Sequence, residues 1–123
     1  MRMRLAITVA VTLFAILHSG AHAQQPCTPI HFAPGTSSAT VKGMASNEGP
    51  SACYTLTTRA GQTASLTIVK TSRNDDTAFT IQDVVDNQDN YTFKTEAKTY
   101  TIGVSLTFRA VVPRPFTMRV SVK

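Results

Sequence analysis

Few residues in this chain could carry chemistry, and they are scattered. Of its three histidines, His18 and His22 belong to an N-terminal apolar segment, which leaves His31 alone in the remainder. A serine–histidine–aspartate relay built on His31 would need partners that the sequence does not place, and zinc would need three or four imidazole or thiolate ligands. Beside Phe32 in an edge strand, His31 reads as a surface or capping residue. The carboxylate pairs Asp75/Asp76 and Asp83/Asp86 sit on no recognisable site motif, and glycosidase chemistry would require one of them to be buried and raised in pKa. Asp83, Asp86, Asp89 and Asn90 offer hard oxygen ligands of the kind calcium takes. Their spacing departs from the D-x-D-x-D-G loop, and the same residues are ordinary turn formers. None of these residues makes an active site, so no enzyme and no cofactor is expected.

Two arginines are the exception. Arg109 follows an alternating run, and Arg114 lies inside Pro113-Arg114-Pro115. Prolines reduce the ordering cost of a binding loop, and a guanidinium pairs bidentately with a carboxylate. The same two residues also read as solvated edge charges that discourage sheet-to-sheet association. Composition alone does not separate these readings.

Residues 1–23 carry Arg2 and Arg4, an apolar stretch from Leu5 to Leu17, and Ala21-His22-Ala23 at a small-x-small cleavage position. That pattern predicts a secretory signal peptide, followed by one domain over residues 24–123. An uncleaved anchor is the competing reading, although the apolar run is short for a bilayer. Without Arg2 and Arg4, ten basic residues face seven acidic ones, and the formal charge falls from +5 to +3. The basic residues are not clustered, which argues against a nucleic-acid partner. Cys27 and Cys53 are the only cysteines. In a periplasmic or secreted chain they predict a disulfide worth about 3.5 kcal/mol, and their spacing is not that of a redox C-x-x-C pair.

Threonine, serine and valine dominate the mature part, which suits half-buried pleated surfaces. The alternation predicts strands near Ile30–Ala33, Ser38–Lys42, Ala52–Thr58, Thr63–Lys70, Ala78–Val84, Asn90–Lys94, Thr99–Phe108 and Phe116–Val122, an all-β antiparallel sandwich of seven or eight strands. Tyr54/Leu56 and Leu66/Ile68 flank Arg59-Ala60-Gly61-Gln62 and read as a hairpin with a glycine-dependent turn. The last two strands read as a second antiparallel pair. The expected core is Tyr54, Leu56, Leu66, Ile68, Phe79, Ile81, Tyr100, Ile102, Val104, Leu106, Met118 and Val120.

Phe32, Gly35, Ser37-Ser38-Ala39, Gly43, Tyr54, Ala60-Gly61-Gln62, Asp76-Thr77 and the segment from Tyr100 to Lys123 together resemble the periplasmic inhibitors of goose-type lysozyme. That family is similar in turn to the small sandwich modules of the pre-peptidase C-terminal type. The resemblance implies a bacterial sandwich whose loops at one end enter the lysozyme cleft and block its catalytic glutamate. It implies lysozyme-binding roles for Arg109 and Asp76; Arg114, from the proline-flanked segment, is a third candidate for the same contact. The family's tyrosine between the second and third strands has no counterpart here, where Asn47-Glu48 stand, and Cys27 and Cys53 lie outside the family pattern. The alternative function is a carbohydrate-binding or accessory module of the cell envelope, since a sandwich hosts many activities.

Overall fold

The computed structural model describes residues 26–47, 52–72, 76–110 and 112–123; the expected signal peptide lies outside them. Nine strands form in chain order: β1 (Thr28–Pro29), β2 (Ser38–Ala45), β3 (Ala52–Thr57), β4 (Thr63–Ile68), β5 (Thr77–Ile81), β6 (Val85–Gln88), β7 (Asn90–Lys94), β8 (Thr99–Leu106) and β9 (Arg114–Val122). They make two sheets, ordered β1-β3-β8-β5-β6 and β2-β9-β4-β7. Every pairing is antiparallel except β1 with β3. The architecture is an all-β sandwich without a helix among the described residues, as the alternation predicts.

The period-2 pattern decides which side chains meet. From the five-stranded sheet, Leu56, Phe79, Ile81, Tyr100, Ile102, Val104 and Leu106 point inward. From the four-stranded sheet, Ala64, Leu66, Ile68, Phe116, Met118 and Val120 answer them, and all belong to one core cluster. Of the expected core, only Tyr54 stays partly exposed. Its phenol reaches across the sandwich toward Gly43 on β2 and packs edge-on against Phe116, with ring centroids 6.2 Å apart. Burial pushes the Tyr54 phenol above its ordinary value.

Three expectations need correction. The segment around Arg59–Gln62 is not a hairpin turn: β3 and β4 lie in different sheets, and this connection arches over the core. Tyr54 and Leu56 thus face Leu66 and Ile68 across the core and do not share a sheet face with them. Gly61 does adopt the left-handed backbone that the turn requires, at φ 78°. The strands after Thr99 likewise do not pair with each other: β8 bonds β3 and β5, whereas β9 bonds β2 and β4. Period-2 alternation is blind to this difference, because a hairpin and an arch both turn their apolar residues toward one core. Third, the first strand falls at Thr28–Pro29 and not at Ile30–Ala33, and the Asp86–Asn90 bend contains an additional strand, β6. Only Asp89 separates β6 from β7, so the chain changes sheets there almost without a loop.

The Cys27–Cys53 disulfide forms as expected and fastens β1 to β3, the one parallel pair. Beyond it, Ile30 N donates to Thr55 O at 2.9 Å and continues the ladder.

Gly43 leaves no room for a side chain: a Cβ there would lie 2.5 Å from Tyr54 Oη, from the facing sheet, and 3.0 Å from the Phe116 ring of its own sheet. The Gly43→Ala variant should lose about 1–3 kcal/mol of unfolding free energy to overpacking, and Tyr54→Phe should restore part of it in the double variant. Urea denaturation of the single and double variants measures both effects.

Candidate functional site

The two ends of the sandwich are built differently. At one end, the β3–β4 arch rests on the β7–β8 arch through buried Thr95. Thr95 Oγ1 donates to Arg59 O at 2.6 Å and accepts from Gln62 N at 3.1 Å. Gly61 N donates to Thr95 O at 2.8 Å, Thr95 N to Gln62 O at 2.8 Å, and Thr58 N to Lys98 O at 3.0 Å. The backbone groups of both arches thus satisfy one another.

The other end gathers the β2, β5, β8 and β9 termini. Thr107 N donates to Asp76 O at 2.7 Å, and Asn47 Nδ2 donates to Phe108 O at 2.7 Å. Arg114 Nη1 stands 3.7 Å from Asp76 Oδ2, and its guanidinium carbon lies 5.1 Å from the Phe108 ring centroid. Arg114 does not project from a proline-stiffened loop, as the sequence suggests; it and Pro115 open β9, opposite Ala45 and Met44. A proline is tolerated there because β4, the other neighbour of β9, pairs only as far as Met118. The ladder, the carboxylate and the ring together fix Arg114.

Arg109 is different. It lies three residues past Leu106 in the β8–β9 connection, is exposed, and makes no ion pair with another described residue. Asp76 and Arg114 offset each other's charge, so Arg109 supplies the uncompensated positive charge among these three. The structure brings Asp76 together with Arg114 and leaves Arg109 presented separately, two residues beyond the Thr107 amide that anchors the loop.

Sequence reasoning missed the apolar part of this end. Met44, Phe108 and Val112 are exposed by 52%, 39% and 67%, the large hydrophobic side chains most open to solvent among the described residues, and all three fall here. The alternation carries the penultimate strand from Thr99 as far as Phe108. The strand stops at Leu106, and the ring turns out beneath Arg114 instead. Exposed apolar groups beside a displayed arginine are the usual ingredients of an interface centre.

The other candidate residues do not assemble. Asp83 and Asp86 line an open groove of about 630 Å³ on the outer face of the five-stranded sheet, together with Thr80, Thr101 and Gly103. Asp89 pairs instead with Lys70 at 3.4 Å, and Asn90 accepts a hydrogen bond from Thr67 at 3.2 Å. The four residues considered for calcium therefore do not converge, and no cluster of three or more histidine, cysteine or acidic residues suited to a metal occurs among the described residues. His31 is exposed.

This geometry is similar to that of three solved proteins. The crystal structure of Aeromonas hydrophila PliG, a periplasmic inhibitor of g-type lysozyme, superposes with a TM-score of 0.62 at 24% identity, over 79% of this chain and 96% of that one. Salmonella Typhimurium PliG, of the same description, gives 0.59 at 18% identity over 81% and 100%. A mutant of the Escherichia coli inhibitor gives 0.53 at 17% identity over 78% and 96%. No protein-family model matches the chain, and no curated sequence matches it significantly. The likeness establishes a PliG-type sandwich as the fold.

The contrast between the ends predicts unequal costs. Asp76→Asn, which dissolves a half-exposed ion pair, should change unfolding free energy by less than about 1 kcal/mol. Thr95→Val, which removes the hydroxyl that bonds Arg59 O and Gln62 N across the two arches, should cost about 1–3 kcal/mol. Parallel denaturant titrations give the comparison.

Proposed function

We propose that this protein is a periplasmic or secreted inhibitor that binds a goose-type lysozyme and blocks its cleft with the end of the sandwich bearing Arg109. The observation that carries this reading is the exposed arginine in a connection that also exposes Phe108 and Val112, at the same end as Met44, on a sandwich similar to the PliG inhibitors. Arg109 enters the cleft and meets the catalytic carboxylate with two charge-assisted hydrogen bonds. The apolar side chains around it exclude water and so lower the effective dielectric in which that pair forms. Asp76 contributes in two ways: through its backbone oxygen it anchors Thr107, and through its carboxylate it holds Arg114 over Phe108. Phe108 supplies at this end the aromatic contact for which Asn47 and its neighbour offer no tyrosine. The protein does no chemistry of its own in this account; it binds by local pairing and shape.

Residual activity of a goose-type lysozyme with the wild-type protein and with Arg109→Ala tests the reading. The wild type should inhibit at micromolar concentration or below, and the variant should weaken binding by about 2–5 kcal/mol, the usual scale for removing one partner of a desolvated charge pair. Absence of inhibition by the wild type overturns the function. Equal inhibition by the variant overturns the role of Arg109 and leaves the function standing.

A further inference from the structure

The outward face of the four-stranded sheet has a composition that neither the core nor the loop end requires. Fourteen positions of β2, β9, β4 and β7 point away from the core, from Ser38 on the first to Lys94 on the last. Nine are serine, threonine or asparagine, and three are the cations Lys42, Arg119 and Lys94. None is acidic, although the chain carries seven acidic residues. Met44 and Pro115 complete the set at the rim, so the interior of this face holds no apolar side chain.

Register places the cations in line. Lys42 pairs with Thr117, one step along β9 from Arg119, which pairs with Thr40 and Thr67; Lys94 lies diagonally beyond, across from Thr63. With about 4.8 Å between strands and about 6.8 Å between alternate residues, the diagonal from Lys42 to Lys94 is about 25 Å long. All three cations are exposed, and none of them takes part in an ion pair among the described residues. Arg119 stands on β9 between its two neighbours, the place where a strand charge has no edge to protect. Between the cations, hydroxyls form cross-strand ladders: Ser65 with Thr92 at 2.7 Å and Thr67 with Asn90 at 3.2 Å. Each hydroxyl so paired keeps further donor or acceptor capacity.

We propose that this face binds an anionic polysaccharide, its carboxylate, sulfate or phosphate groups on Lys42, Arg119 and Lys94 and its hydroxyls on the serine and threonine rows. Charge complementarity selects an anion. The choice of a glycan over a lipid surface follows from the lack of any apolar side chain in the interior of the face that could enter an acyl layer, where interfacial binding gains its strength from buried apolar area. The proposal is independent of lysozyme binding, which uses the Arg109 end.

Retention on immobilised heparin, used as a generic sulfated polysaccharide, provides the test, with uncharged dextran and phosphatidylglycerol vesicles as further arms. The wild type should bind heparin in 100 mM salt, ignore dextran, and show no stronger attachment to the vesicles. The Lys42→Gln/Arg119→Gln variant should bind heparin at least about tenfold more weakly. The Arg59→Gln/Lys98→Gln variant, which removes the same charge elsewhere, should lose less than about threefold; Lys42→Arg should bind like the wild type. Circular dichroism of each variant excludes misfolding as the cause. Equal loss in the two double variants reduces the effect to net charge and overturns the proposal. So does failure to bind heparin, or a preference for the vesicles.

Discussion

Neither sheet of this protein has an apolar face that can stand in water alone, so each exists only because the other covers it. Tyr100, Ile102, Val104 and Leu106 form a continuous apolar row on one side, and Phe116, Met118 and Val120 answer from the other. Burial of side chains of this size contributes about 1.5–3 kcal/mol each, which makes closure of the two sheets the dominant favourable term. The connectivity strengthens this dependence. Among sequence neighbours only β5 and β6 share a sheet, so almost every connection crosses the core. Separating the sheets would break the arches as well as the contacts between side chains.

Crossing connections must find hydrogen-bond partners at the ends of the sandwich, and the two ends do so differently. At the Thr95 end, two arches satisfy each other, and the Thr95 hydroxyl of one serves as donor and acceptor to the other. At the Asp76 end, a few long-range contacts hold the connections to the strand termini, while Arg109 and three large apolar side chains remain in solvent. A rigid scaffold with one closed and one open end has a natural place for a binding site. The ion pair between Asp76 and Arg114 belongs to this arrangement, since it orders the strand and ring beside Arg109 and adds little to stability.

Much of this was legible in the residues. Alternation located most strands and nearly all of the core, because inward and outward positions differ in hydrophobicity wherever one sheet face is buried. The cysteine pair and the turn at Gly61 also followed from chemistry that acts locally. Sheet membership did not, since β3–β4 and β8–β9 satisfy the same alternation whether they form hairpins or arches. The sequence singles out Arg109, Asp76 and Arg114 as candidates, but the mutual pairing of the last two depends on which strand ends meet in space. The exposure of Phe108 was not legible, because nothing in the alternation shows that β8 ends at Leu106, two residues before it.

The central claim is that the open end alone meets the lysozyme. Amide hydrogen exchange of the protein with and without a goose-type lysozyme tests it directly. The account predicts slowed exchange at Phe108, Arg109, Ala110 and Val112 in the complex, with exchange at Arg59–Gln62 and Glu96–Lys98 unchanged. Protection of the Thr95 end, with the β8–β9 connection unaffected, would contradict it.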